Sequence, residues 1–130
     1  MRGRFEDTPI ANATLIEALG FDIESATLSS DAATVSGKRI IYKITSESKT
    51  TAHTASATFV ITRTGTTSTD VAFCIPNGGT NTQGVPTFKA VCTTDTVTVT
   101  LLNGAIATNA FNGTFIFMLV VLKNRVGQGN

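Results

Sequence analysis

Tryptophan is absent and tyrosine occurs once, so the chain has little from which to build the aromatic platform that stacks against a sugar ring. Histidine also occurs once. His53 lies in a Ser/Thr/Lys stretch with no cysteine or acid at ligand spacing, which reads as a surface residue rather than a metal ligand or catalytic base. The two cysteines, Cys74 and Cys92, allow one bridge at most and exclude a disulfide-stapled scaffold. Each has apolar neighbours, in Phe73-Cys74-Ile75 and Val91-Cys92-Thr93, and the expectation is two buried free thiols.

Charge is scarce as well. Only 15% of residues are charged and the net charge is +1, which argues against binding nucleic acid by phosphate neutralisation and against a polybasic membrane contact. The carboxylates Glu6, Asp7, Glu17, Asp22, Glu24, Asp31, Glu47, Asp70 and Asp95 are scattered, with no pair suggesting acid and base across a cleft and no cluster for a divalent cation. Gly78-Gly79 has neither the helix start nor the lysine of a phosphate cradle. Neither thiol has an activating neighbour. No catalytic, cofactor or metal residues are therefore assigned, and a non-enzyme is expected.

No apolar run approaches the ~20 residues of a membrane helix, and the first nine residues lack the apolar core of a secretion signal. The expectation is a chain without a membrane span or an export signal. The sequons Asn12-Ala13-Thr14 and Asn112-Gly113-Thr114 are then accidents of a threonine-rich composition.

What the chain does contain is threonine, its most frequent residue, with much alanine, valine and isoleucine, a composition suited to strands. Its 130 residues suit one domain with one core. Residues 1–20 read as an N-terminal arm or short helix. In the helical reading Thr8 caps, Pro9 takes the first position, Leu15, Ile16 and Leu19 form a stripe, and Gly20 stops it. Residues 21–124 read as a β-domain and 125–130 as a tail that frays.

Strands are expected at 21–28, 39–45, 57–64, 71–75, 85–92, 96–102 and 114–123. In the second, Ile40, Tyr42 and Ile44 oppose Ile41, Lys43 and Thr45; in the third, Phe59 and Ile61 point inward. Pro76 is expected to end the fourth, and residues 77–84 to form a Gly- and Asn-rich loop. Phe88, Ala90 and Cys92 share a face, while Val97, Val99 and Leu101 point in against Thr96, Thr98 and Thr100. Asn103-Gly104 opens a loop, and Asn112-Gly113 launches the last strand.

That last strand carries the strongest signal. Phe115, Phe117, Leu119 and Val121 alternate with Ile116, Met118, Val120 and Leu122, so both faces are apolar and both need cover. Such a strand belongs in the middle of a sheet. Seven or eight short strands with frequent turns predict an all-β fold, a jelly-roll-like β-sandwich with an N-terminal arm. The second face predicts a homo-oligomer, trimer favoured, unless the second sheet or the 9–19 segment covers it.

The Thr/Ala/Val/Gly-rich strands, the arm and the closing Asn109-Ala110-Phe111-Asn112-Gly113-Thr114-Phe115 resemble the small β-structured virion proteins of tailed bacteriophages. These are capsid cement or decoration proteins and the terminal domains of tail fibres. The ending is also similar to that of trimeric tumour-necrosis-factor-like jelly rolls. The resemblance implies a virion protein, assembled in the host cytoplasm, that sits as a trimer on the major capsid protein and adds contacts against internal pressure. Apolar placement then nominates Phe115, Phe117, Met118 and Val120 for the subunit interface, and Phe5, Pro9, Ile10, Leu15 and Ile16 for arm contacts. The alternative is an adhesion module whose polar loops, 47–56 and 77–84, bind a host surface glycan.

Overall fold

The computed structural model describes residues 21–105 and 108–124. Eight strands follow one another: β1 (Ile23–Thr27), β2 (Ala32–Val35), β3 (Ile41–Thr45), β4 (Ser56–Arg63), β5 (Val71–Gly78), β6 (Pro86–Thr93), β7 (Thr96–Asn103) and β8 (Ile116–Leu122). They form two four-stranded sheets, a front sheet ordered β1-β3-β8-β5 and a back sheet ordered β2-β4-β7-β6. The fold is an all-β sandwich, as the strand count and alternation predict. Of the connections, only the β6–β7 hairpin stays within a sheet; every other one crosses between sheets. Two pairs are parallel, β1 with β3 and β2 with β4, unlike the all-antiparallel pairing of a jelly roll.

The alternation read from the sequence sets the core. Tyr42, Ile44, Phe117, Leu119 and Val121 from the front sheet meet Phe59, Ile61, Val97, Val99 and Leu101 from the back sheet, all fully buried. Phe117 stacks on Phe59 with ring centroids 6.0 Å apart and touches Phe88 at 4.8 Å, so β8 joins both sheets through one ring. Phe111 and Phe115 meet edge to face at 4.6 Å and close one end.

Three expectations of local structure change. β2 was not anticipated, because its four residues, Ala-Ala-Thr-Val, are too short and too small to show a pattern. β5 runs through Pro76 to Gly78, with an irregularity in pairing between the two. The proline is tolerated because β5 is an edge strand, where one amide needs no partner. His53 is half-buried rather than superficial, with Nδ1 2.8 Å from the carbonyl oxygen of Ala105.

Both ends of the sandwich are tied by buried polar groups. At one end the Arg63 guanidinium donates to Tyr42 Oη (2.8 Å), Thr66 Oγ1 (3.1 Å) and the Arg39 carbonyl (2.7 Å). Beside it Asp70, its side chain wholly buried, accepts from Lys123 Nζ (2.7 Å) and from the amides of Thr67 and Asn124 (2.9 Å each). At the other end the amide of Asn103, also fully buried, accepts from the Val85 and Ala105 amides and donates to the Thr51 and Asn109 carbonyls. One side chain thereby fixes three loops to the end of β7. The sequence showed Asn103 only as a loop opener.

Candidate functional site

The outer face of the front sheet is apolar across its width. Cross-strand register places Ile23, Ile41, Val120 and Phe73 in one row spanning all four strands. The next row is Ser25, Lys43, Met118 and Ile75; Val71 beside Leu122 lies beyond the first row and Ile116 beyond the second. Phe21, two residues before Ile23, continues the face toward the end where Arg63 lies. Phe21, Ile23, Val71, Phe73, Ile75 and Leu122 are all between 43% and 59% exposed, a density of large apolar groups that isolated soluble surfaces seldom keep.

The back sheet makes the contrast. Its outer face carries a row of threonines, Thr34, Thr62, Thr96 and Thr93, one on each strand. Thr58, Thr98 and Thr100 continue it, with Lys89 and three exposed apolar side chains, Val60, Val91 and Leu102. Hydroxyl-bearing β-branched side chains suit a strand and remain solvated. The two outer faces of the sandwich thus differ sharply in polarity.

Within the apolar face stands one charge. Lys43 on β3 is exposed and makes no hydrogen bond or ion pair with any described residue. No acid on β1, β3, β8 or β5 shares the face: the polar side chains there are Ser25, Thr27, Thr45 and Lys43, with the exposed Asn77 at the pairing irregularity near the end of β5. A partner covering this surface must bring a carboxylate to Lys43 or strand a charge.

The structure separates the four residues nominated for a subunit interface. Phe115 and Phe117 are interior, at 4% and 0% exposure, because they share the inward face of β8 and its approach with Leu119 and Val121. They cannot line a surface. Met118 and Val120 lie on the outer face, half-buried beside Ile75 and Phe73. The arm residues Phe5, Pro9, Ile10, Leu15 and Ile16 fall outside the described residues.

Sequence reasoning missed Val71, Phe73 and Ile75 as surface residues. In Val-Ala-Phe-Cys-Ile the large side chains suggest the buried positions, but pairing with β8 turns them outward and leaves Ala72 and Cys74 inward. The signal was available in Cys74: a small apolar residue fits against the crowded inner face opposite Leu119.

Groups with chemical potential are engaged or subdued. Burial pushes the Cys74 thiol up to about 12, and burial with the nearby Asp70 charge raises Cys92, so neither forms a nucleophilic thiolate near neutrality. Both are free thiols. Burial also raises Tyr42, against the lowering effect of Arg63. Among the described residues no three His, Cys, Asp or Glu side chains converge to hold a metal ion.

The 77–84 loop, the candidate for glycan contact, is tied to residues 112–114. Asn81 Oδ1 accepts from the Asn112 amide, Asn112 Oδ1 accepts from the Thr82 amide, and Thr80 Oγ1 accepts from the Thr114 amide. Its polar side chains largely brace a neighbouring loop. No protein-family model, no curated protein and no solved structure matches the chain.

Proposed function

We propose that the protein is a non-enzymatic virion structural protein, a capsid cement module that works by assembly through the outer face of its front sheet. The observation that carries this reading is that face itself: an apolar surface spread over four strands, held rigid by the same strand, β8, that anchors the core. A rigid apolar sheet face suits permanent burial between subunits, where shape and area do the holding. The virion setting follows from the resemblance of the chain to small β-structured phage proteins, with the major capsid protein as the surface to which the assembled subunits attach. A trimer presents each contact three times, so modest individual affinities sum through effective concentration.

The test is density-gradient fractionation of a lysate in which the chain is produced together with the particle. The wild-type chain bands with the particles. Val120→Asp, which places a charge in the middle of the face without touching the core, leaves it in the soluble fraction. A wild-type chain that stays soluble contradicts the cement role.

A further inference from the structure

We propose that the outer face of the front sheet is covered by residues 1–20 of a second copy of this chain, exchanged between subunits. The inference rests on the assembly reading above and names the occupant of its face.

Lys43 decides against the simplest alternative. If two copies stacked front sheet to front sheet, each face would bring a lysine and no acid, and two unpaired ammonium groups would enter a desolvated interface. The occupant has to be apolar and acidic together. Residues 1–20 carry Arg2 and Arg4 at their start, but from Phe5 onward they have that composition: Phe5, Ile10, Leu15, Ile16 and Leu19 accompany Glu6, Asp7 and Glu17, the only charged residues of that stretch. Glu17 is flanked by Leu15, Ile16 and Leu19, so a carboxylate can reach Lys43 from within an apolar contact.

Assembly through this face favours a neighbour over the same chain, and the reach of the segment allows it. The segment joins the fold at Phe21, at the outer corner of the face, where β1 begins. A segment lying on its own sheet would leave no face for assembly, whereas one lying on a neighbour's sheet uses the face as the assembly reading requires. Twenty residues reach up to about 66 Å when extended, well beyond a domain whose radius of gyration is about 14 Å. The face to be covered measures only about 14 Å between its outermost strands and about 23 Å along β8. Exchange around a ring would close every face in the assembly at once.

The experiment uses the full chain with Phe73→p-benzoylphenylalanine, co-refolded as an equal mixture of 14N- and 15N-labelled protein, irradiated and digested for mass spectrometry. The expected product joins position 73 to a peptide from residues 1–20, with about half of the crosslinked pairs isotopically mixed. In parallel, Glu17→Lys weakens assembly about tenfold, and adding Lys43→Glu restores it. Crosslinks confined to one label place the segment on its own sheet and overturn the exchange. Crosslinks to β3, β5 or β8 of another copy also overturn it, while leaving the assembly reading in place. A monomer without crosslinks overturns both.

Discussion

At the scale of single residues, the fold depends on polar side chains that the hydropathy pattern does not display. Asn103 makes four hydrogen bonds to backbone groups in three loops. Asn103→Ala strands all four, and the expected loss is about 3 kcal/mol, read as a lower denaturant midpoint in chemical unfolding. Asp70 sets the acid limit. Burial alone would raise its pKa, but hydrogen bonds from Asn124, Lys123 and Thr67 win and hold the carboxyl well below the usual carboxylate range. A depressed native pKa means that the unfolded state binds the proton more tightly. The contribution is therefore complete above the unfolded value near 4, and is lost as pH falls toward and through the native value. Thermal melts between pH 7 and pH 2 should show wild type losing stability from about pH 4 downward, with Asp70→Asn less stable at pH 7 and flatter below pH 4. The thiols give a third check. With Cys74 pushed up to about 12 and Cys92 buried, a disulfide-exchange reagent at pH 8 should label neither in the native protein and both in denaturant.

At the scale of elements, β8 shows how two adjacent residues in one strand can have unrelated roles. Phe117 contacts Phe59 and Phe88 in the core, and Phe117→Ala should cost about 4 kcal/mol of stability. Met118, one residue on, faces outward, and Met118→Asp should abolish assembly and leave a folded monomer whose unfolding midpoint no longer depends on protein concentration. Gly79 tests the loop clasp: at φ +118°, a Cβ would lie 2.2 Å from the Thr114 carbonyl oxygen, so Gly79→Ala should lower the melting temperature by several degrees. Strand alternation made β3, β4, β7 and β8 legible in the sequence, including the faces of Phe59, Ile61, Val97, Val99 and Leu101. It failed where pairing decides what hydropathy cannot. The face of β5 depends on its register with β8, and β2 exists because β4 offers it a parallel edge. The surface residues Phe73 and Ile75 were hidden for the same reason: a strand that is apolar outward looks like one that is apolar inward. The polar clasps escaped because their partners are distant in sequence, as with Ser46 Oγ accepting from the Phe115 amide.

At the scale of the whole molecule, the sandwich has one water-compatible face and one that water does not favour. The threonine rows of β2, β4, β7 and β6 face outward over the same core that lies under β1, β3, β8 and β5, so the asymmetry lies in the outer faces alone. An apolar face with a lone lysine asks for an apolar, acidic partner, and assembly is the claim on which the functional reading stands. The direct measurement is the mass in solution, by light scattering on a sizing column at micromolar concentration, of the wild-type chain and of Val120→Asp. Assembly predicts wild type at a multiple of the 13.6 kDa chain mass, with three the favoured number, and a folded Val120→Asp monomer. A wild-type chain that elutes as a stable 13.6 kDa monomer would contradict it.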